Sequence, residues 1–453
     1  MNSTNQSAPV SSRYRWVICG LLFFATTFNY LDRQVISYLK EFFCRSAEQG
    51  GFGWTNTDFA YLTSFFTGFY AGMTLLMGWV IDKIGTKLGL ALSLIFWSVC
   101  GIANAFVGRL VMMHVMIRSA FAVGEAGNFP ASIKTVAEWF PKRERALATG
   151  IFNSGSNFGA MVAALFVPWC MIYFGDQKGW KMAFIITGAV GFLWLIFWFW
   201  LYETPARQKR LSKAELDYIQ IDDEVAAGGA TGDTGKVSWW KLFGYRQAWA
   251  FFFGKFMTDG IWWFYLFWLP DYLIKQFGMT KSQIMLPTFI VYGVAIVGSV
   301  YGGSIPMTFI KKGMPVYKAR TTAMLLIAMA PLAVLTTQYF GNVDRFGKMA
   351  AVLAIATICI GAAAHQAWSA NLFTTVSDMF PKKTVGSVTG IGTTAGGIGG
   401  VIIQMLAGRL TDAFKETPQT AYLIMFIVCA LSYLIAWSVM KALVPRHKPI
   451  TDL

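Results

Sequence analysis

The sequence predicts an all-α membrane protein with twelve transmembrane helices, arranged as two pseudo-symmetric bundles of six. Three observations support this class: the composition, the spacing of apolar runs and an internal repeat. Of the 453 residues, 55% are hydrophobic and only 13% are charged, whereas a soluble domain usually carries about 25% charged residues. So few charges cannot cover a water-exposed surface, which argues against a conventional soluble protein and against a disordered chain.

Twelve apolar runs are long enough to cross a bilayer, which takes about 20 residues in a helix. They lie at 16–38, 58–81, 87–108, 111–137, 146–172, 181–201, 247–274, 283–310, 321–339, 347–376, 386–412 and 418–442. An even number of spans places both termini on one side. Lys and Arg are roughly twice as frequent on that side as on the other, so both termini are predicted to be cytoplasmic. This bias also explains the net charge of +15 without a nucleic-acid partner.

The longest polar stretch, 204–246, is predicted to be a central cytoplasmic loop between an N-terminal bundle (1–203) and a C-terminal bundle (247–453). Within this loop, Ser212 and Glu215 have the spacing of a capping box, which predicts a short helix through Ile219. A flexible tether is expected to follow, because glycine recurs at Gly228, Gly229, Gly232 and Gly235.

The two halves of the chain repeat each other at an offset of 240 residues. Glu-Trp-Phe-Pro-Lys at 138–142 recurs as Asp-Met-Phe-Pro-Lys at 378–382, and Gly159 recurs as Gly399. A match held at one offset across two spans indicates an internal duplication. Glycines separated by three residues, such as Gly155 and Gly159, predict helices that pack closely.

A turn between the second and third spans has a recognisable pattern of glycines and charges. It resembles the loop signature of the major facilitator superfamily, Gly-x-x-x-Asp-Arg/Lys-x-Gly-x-Arg/Lys, and its members are Gly78, Asp82, Lys83, Gly85 and Lys87. The resemblance implies the two-bundle fold and a structural or gating role for these residues at the cytoplasmic face. The equivalent stretch at 302–313 lacks the acidic residue, so an asymmetric latch is predicted.

More specific motifs resemble the anion:cation symporter family. They are Asn29-Tyr30-Leu-Asp32-Arg33-Gln, Arg118 with Glu125 and Pro130, Glu138-Trp-Phe-Pro-x-x-Glu144-Arg145, and the loop segment 211–219. Lys255 with Asp259, and Ala364-His365-Gln366-Ala367, most resemble the hexuronate and sugar-acid branch. The resemblance implies proton-driven, or in some members sodium-driven, uptake of an organic anion by alternating access. It also implies a bacterial plasma membrane, a monomer, and no cofactor or metal.

Charged residues inside the predicted spans point to the functional site. A charge at the bilayer centre costs at least about 2.5–3.5 kcal/mol, so it rarely persists without a use. Six residues qualify, together with His365: Asp32, Arg33, Arg118, Glu125, Lys255 and Asp259. Asp32 and Arg33 point about 100° apart around a helix and must face different partners. Lys255 and Asp259 are four residues apart and can pair directly.

Each of these residues has a predicted role. Arg33 and Lys255 are the candidates for gripping the anion, while Arg118 either touches the anion or orients Asp32. Glu125, and next Asp32, are predicted to carry the coupling proton, and Asp259 to neutralise Lys255. His365, 240 residues after Glu125, is expected to bind hydroxyls or to titrate. Further predicted substrate contacts, suited to hydroxyl and stacking interactions, are Tyr30, Tyr70, Ser156, Asn157, Gln366, Trp368, Asn371 and Thr393.

Other functions remain as alternatives. A sodium-coupled or exchange carrier of another organic anion, such as an aldonate or a dicarboxylate, belongs to the same mechanistic class. A membrane sensor without transport is disfavoured, because the central loop is too short for an output domain. A membrane enzyme is disfavoured because the sequence contains no HExxH motif and no nucleophile elbow. The lack of a GxxxxGK[ST] motif leaves an ion or substrate gradient as the energy source.

Overall fold

The chain folds into long helices joined by short turns. The computed structural model describes residues 13–227, 239–381, 384–446, 448 and 450, and within them it contains helices and no strand. The α-helices are Tyr14–Cys44 (α1), Asn56–Ile84 (α2), Thr86–Ala103 (α3), Val111–Glu125 (α4), Asn128–Trp139 (α5), Lys142–Tyr173 (α6), Asp176–Leu201 (α7), Lys213–Ala227 (α8), Trp239–Leu242 (α9), Arg246–Phe277 (α10), Met285–Lys311 (α11), Val316–Met329 (α12), Thr337–Phe340 (α13), Val343–Phe346 (α14), Met349–Met379 (α15), Val385–Ala413 (α16) and Pro418–Leu443 (α17). The glycines predicted to form a tether, at 228–235, lie outside the described residues.

Each of the twelve predicted spans coincides with a helix or with a pair of consecutive helices. Nine helical segments in the described part of the chain are long and apolar enough to cross a membrane. The other three predicted spans correspond to α1, to α4 with α5, and to α10. These are the segments that carry the six charged residues singled out in the sequence, so the departures from apolar character mark the place where the site is built.

The fourth span is interrupted beside Glu125. The predicted continuous span 111–137 is two helices, because α4 ends at Glu125 and α5 begins at Asn128. Pro130 has no N–H to donate, and its ring crowds the carbonyl of Ala126 four residues earlier. The break therefore follows from the proline, and it places the Glu125 carboxylate at a helix end.

Glycines allow close helix contacts in both halves. A Cβ on Gly155 would lie 2.5 Å from the carbonyl oxygen of Phe23, so α6 packs backbone to backbone against α1. In the other half a Cβ on Gly399 would collide with the carbonyl oxygen of Phe256, so α16 packs in the same way against α10. The predicted close packing of Gly155 is confirmed, and the repeat extends to the packing of the helices.

The central helix α8 is docked onto the first helix. The Ser212 Oγ accepts the N–H of Glu215 at 3.2 Å, as a capping residue does. The second half of the predicted capping box is wrong, because the buried Glu215 carboxylate accepts the backbone N–H groups of Tyr14 and Arg15, both at 3.1 Å. Glu215 thus caps α1, where a carboxylate also complements the helix dipole. The helix extends past the predicted end at Ile219 to Ala227.

Polar contacts between the two halves are concentrated at the end of the molecule away from the termini. Lys40 of α1 pairs with Asp271 of α10 at 2.6 Å, and both side chains are buried. Asp412 of α16 accepts the N–H groups of Asn56 and Thr57, at 3.0 Å and 2.7 Å, and so caps the N-terminus of α2 from the opposite half. These contacts seal the distal end.

The loop-signature residues between α2 and α3 lie at the other end, and their ion pairs among the described residues stay within the N-terminal half. Asp82 pairs with Lys134 of α5 at 2.9 Å, and Lys87 pairs with Glu203 at 2.7 Å. The short hydrogen bond from Lys87 holds the pKa of the Glu203 carboxyl below its ordinary value. Gly85 has a φ of 83°, which suits glycine in the tight turn between α2 and α3.

Candidate binding site between the two halves

A cavity of about 220 Å³ lies between the halves, midway along the helices. It is lined from one side by α1, α2, α5 and α6, and from the other by α10, α15 and α16. The predicted site residues that line it are Tyr30, Arg33, Tyr70, Ser156, Lys255, Asp259, His365, Gln366 and Thr393. The structure therefore brings residues from positions 30 to 393 to one site.

Arg33 is enclosed by aromatic rings on the N-terminal wall. Its guanidinium carbon lies 4.3 Å from the ring centre of Tyr30, 4.4 Å from that of Tyr70 and 5.3 Å from that of Trp263. Its Nε donates to the Glu125 Oε2 at 3.0 Å, and both side chains are buried. The cation is thus held by one carboxylate from α4 and by ring faces that attract it.

Asp32 and Arg118 lie behind Arg33, away from the cavity lining. Asp32 accepts the Trp97 Nε1–H at 3.2 Å, so the expectation that Asp32 and Arg33 face different partners is confirmed. The Arg118 Nη2 donates to the backbone carbonyl of Arg33 at 3.1 Å, and its guanidinium lies over the ring of Phe121. The geometry does not favour the direct substrate contact predicted for Arg118, because this side chain braces the backbone of Arg33.

The C-terminal wall carries a second ion pair. The Lys255 Nζ lies 2.7 Å from the Asp259 Oδ2, as the spacing of four residues predicts. The Asp259 side chain is 20% exposed and that of Lys255 only 7%. Lys255 lies over the ring of Phe373, at 4.7 Å. The acidic member of the pair is therefore the one that faces the cavity more openly.

His365 is held in a defined orientation beside this pair. The imidazole stacks on Trp262, with ring centres 5.1 Å apart and planes at 5°, and its Nδ1 bonds to the Tyr433 hydroxyl at 2.8 Å. The Nε2 is the nitrogen left to interact with a molecule in the cavity. Gln366, the next residue, reaches across the cavity to the Asn157 Oδ1 at 3.5 Å.

Two predicted substrate contacts lie in helix packing instead. The Asn371 amide donates to the carbonyls of Gly302 and Ala367, at 2.9 Å and 2.8 Å, so it joins α15 to α11. Trp368 is buried, and its ring packs against Tyr433 with centres 5.8 Å apart. Neither side chain is among the residues that line the cavity. Both side chains therefore take part in the packing of α15 against neighbouring helices.

The remaining predicted residues are at the end near the termini or outside the site. Lys83 lies over the ring of Trp79, at 4.0 Å, and a Cβ on Gly78 would be in ordinary contact with Pro130. His114 is buried outside the cavity, and its ring nitrogens bond to Asn104 and Gly108.

Sequence reasoning missed more than half of the lining, 13 of 22 residues. The additional residues are Thr26, Asn29, Ala71, Thr74, Asn128, Phe129, Asn153, Trp262, Trp263, Ser369, Phe373, Thr389 and Gly397. A usable signal existed for the two tryptophans, since Trp262 and Trp263 are three and four residues after Asp259 and therefore lie one turn along the same side of α10. The abundance of aromatic residues elsewhere in the chain hid that signal.

The fold and the site together define a multi-pass membrane transporter, in which a polar cavity lies between two helical bundles. The chain belongs to the Major Facilitator Superfamily, whose sequence model matches residues 22–404. The family resemblance predicted from the motifs is confirmed.

Two similar proteins are named as transporters of sugar acids. The hexuronate transporter of Escherichia coli K12 is 30% identical over 438 residues, which are 94% of each chain. The galacturonate transporter of Dickeya chrysanthemi is 32% identical over 305 residues, which are 66% of this chain and 83% of that one. These names match the predicted sugar-acid branch.

Solved structures support the fold. A bacterial homologue of the human lysosomal transporter Spinster, in an inward-facing and unoccupied conformation, superposes with a TM-score of 0.73 at 18% identity, over 96% of this chain and 99% of that one. A D-xylose-proton symporter superposes with a TM-score of 0.70 at 15% identity, over 97% and 100% of the two chains. At such identities the likeness extends to the fold alone.

Proposed function

We propose that the protein imports a sugar acid, a hexuronate or a related sugar acid anion, together with a proton and by alternating access. It does so as a monomer in the bacterial inner membrane, with both termini and the loop 204–246 in the cytoplasm. The names of the relatives support the substrate class. The observation that carries the mechanism is the bond between Arg33 and Glu125 at the wall of the cavity.

Arg33 is the residue that binds the substrate carboxylate. A guanidinium offers a planar fork that matches a carboxylate, and such charge-assisted bonds are the strong ones in low-dielectric sites. In the present structure Glu125 occupies the Nε of this fork. A substrate carboxylate and Glu125 therefore compete for one cation.

The balance of charge around the cavity couples the anion to a proton. Three acidic and three basic residues lie on the cavity wall or directly behind it: Asp32, Glu125 and Asp259, and Arg33, Arg118 and Lys255. With all six ionised the net charge is zero, so a bound monoanion leaves one uncompensated negative charge. Such a charge is costly in the membrane interior, and one proton removes it.

Glu125 is the carboxylate that takes this proton. Its Oε2 binds Arg33, while its Oε1 has no hydrogen-bond partner among the described residues. Protonation of the free oxygen weakens the pair with Arg33 and releases the guanidinium for the substrate. Proton and substrate then favour the same state, which is thermodynamic coupling. Asp32 serves as the second proton site.

Alternating access requires the distal seal to open. The pair Lys40–Asp271 and the cap that Asp412 provides to α2 both join the two halves, so a rocking motion of one half against the other breaks them. The same motion closes the end near the termini, where the loop-signature residues between α2 and α3 lie.

Counterflow in proteoliposomes tests the proposal. The purified chain is reconstituted and loaded in turn with hexuronates, aldonates and dicarboxylates, and entry of labelled substrate is followed. Uphill uptake is then compared under an imposed pH gradient and an imposed sodium gradient. Hexuronate counterflow with pH-driven accumulation is the expected result. Accumulation driven by sodium alone, or exchange without accumulation, would replace proton symport with one of the alternative carriers.

A further inference from the structure

We infer that Asp259 is a specificity-determining residue, which makes the cavity select polyhydroxy monocarboxylates and reject dicarboxylates. The inference rests on the proposed function, since it concerns the substrate class of the same site. It assigns to this carboxylate a role beyond the neutralisation of Lys255.

Two independent contacts hold the Asp259 carboxylate in place. Lys255, one turn earlier on α10, binds the Oδ2 at 2.7 Å. On the facing helix α16, Gly396 has no side chain, and a Cβ there would collide with the Asp259 Oδ2. The neighbouring helix is thus shaped to admit this carboxylate, which places it firmly on the cavity wall.

The pair presents its negative member to the cavity. The Asp259 side chain is about three times as exposed as that of Lys255, at 20% against 7%, and both line the cavity. The ammonium of Lys255 lies between Asp259 and the ring of Phe373. A molecule in the cavity therefore meets a carboxylate oxygen at this wall before it meets the ammonium.

Asp259 lies where the far end of a bound sugar acid would lie. Trp263 is four residues after Asp259, one helical turn along α10, and its ring is 5.3 Å from the guanidinium of Arg33. A substrate that places its carboxylate on Arg33 extends past Trp263 toward Asp259. No ion pair or hydrogen bond occupies the Asp259 Oδ1 among the described residues, so this oxygen accepts hydrogen bonds from hydroxyl groups.

The same oxygen repels a second carboxylate. A hydroxyl donates to Asp259, whereas a carboxylate brings a like charge into a site of low dielectric, where two like charges repel each other strongly. Rejection by an unfavourable contact is a common way to obtain specificity. His365 and Gln366, on the same wall, add polar contacts that suit hydroxyls.

The experiment compares two open-chain acids that differ only in the oxidation of one terminal carbon, galactonate and galactarate. Their dissociation constants are measured by calorimetry on the purified full chain. We expect the unsubstituted protein to prefer the monocarboxylate by at least tenfold. Asp259→Asn keeps the shape and removes the charge, so it should shift the ratio at least tenfold toward galactarate, because Lys255 becomes free to bind the second carboxylate.

Three further variants make the result specific. The double variant Lys255→Gln with Asp259→Asn should lose the gained galactarate affinity. Asp259→Ser removes the same charge with a smaller side chain, and it gives the same readout if Asp259→Asn does not fold. Asp344→Asn removes one negative charge at an exposed position outside the cavity, and the ratio should not change.

Each outcome bears on a separate statement. An unchanged ratio in Asp259→Asn and Asp259→Ser overturns the inference and leaves the proposed function standing. A preference of the unsubstituted protein for galactarate also overturns the inference. If the unsubstituted protein binds neither acid and also binds no hexuronate, the proposed function itself is overturned, and the inference with it.

Discussion

Two ion pairs lie on opposite sides of the cavity, one from each half of the chain, and they are built differently. Arg33 and Glu125 come from α1 and α4, 92 residues apart, and both side chains are almost fully buried. Lys255 and Asp259 lie on the single helix α10 and are partly exposed to the cavity. Although α1 and α10 are the first long helices of their respective halves, the offset of 240 residues matches Arg33 with Leu273 and Glu125 with His365, so the two pairs are not equivalent positions of the repeat.

The two ion pairs therefore suit different proposed roles: Arg33–Glu125 is the proton-dependent switch, and Lys255–Asp259 is a fixed part of the cavity wall. The bond between Arg33 and Glu125 joins two different helices, so under the proposed mechanism protonation of Glu125 loosens a link between α1 and α4. A pair within one helix moves with that helix as a unit, so it sets the charge of the wall and does not transmit motion. The duplication thus preserved the close packing at Gly159 and Gly399 while the chemistry of the two halves diverged.

The largest expected effect is on hexuronate affinity, after substitution of Arg33. Arg33→Ala should weaken binding of a hexuronate by more than 100-fold, because the substrate carboxylate loses its fixed counter-charge and Glu125 is left buried without a partner. Arg33→Lys should give an intermediate loss, since the charge remains without the planar fork. Calorimetry on the purified protein measures both dissociation constants.

Arg109→Ala is the matched control for this prediction. It removes an arginine side chain at an exposed position outside the cavity, and binding should be unchanged. Near-normal affinity of Arg33→Ala would remove Arg33 from the site. The proposed difference in role between the two ion pairs would then be lost.

Proton-driven accumulation should fail when the Glu125 carboxylate is neutralised. Glu125→Gln imitates the protonated state, so substrate binding and counterflow should persist while pH-driven accumulation falls at least tenfold. Asp32→Asn should act in the same direction. The measurement compares counterflow with pH-driven uptake in the same vesicles, and Glu48→Gln at an exposed position serves as the control.

A contrary result would move the proton elsewhere. If Glu125→Gln still concentrates substrate when a proton gradient is imposed, the carboxylate at the helix break is not the coupling site. His365, at the equivalent position of the second repeat, would then be the next residue to substitute.

A smaller effect is expected at the wall. Lys255→Ala should weaken hexuronate binding by about five- to tenfold, because Asp259 already engages the ammonium and a tenfold change corresponds to only about 1.4 kcal/mol. The affinity is measured as for Arg33. Tighter binding after this substitution would show that the pairing of Lys255 with Asp259 hinders the substrate. The expected contribution of Lys255 to hexuronate binding would then be wrong.

The smallest effect on affinity is expected at the distal seal. Asp412→Ala removes the cap of α2 and should cost about 1 kcal/mol of stability, as loss of a helix cap usually does, while the hexuronate affinity changes less than threefold. Thermal unfolding and calorimetry on the same samples provide the two values. A large loss of affinity would mean that the seal, and not only the two ion pairs, shapes the site.

The class of the protein, the twelve membrane-spanning segments and the duplication could all be predicted from the sequence. Apolar runs and glycine spacing depend on local properties of the chain, namely transfer free energy and helical periodicity. For the same reason Lys255 and Asp259, four residues apart, were predicted as a pair. The break beside Pro130 also has a local cause in backbone sterics, but the span 111–137 was predicted as continuous. The cost of charge in a membrane marked the six residues around the cavity before their positions were known.

Only the tertiary structure decided which of these residues meet. Arg33 pairs with Glu125, while Arg118, on the same helix as Glu125, lies behind Arg33. Glu215 caps α1, some 200 residues away, although its own helix offered a local role. Asn371 and Trp368 pack between helices, while Trp262 and Trp263 line the cavity. These outcomes depend on how helices distant in sequence rotate and pack against one another, and local periodicity carries no information about that arrangement.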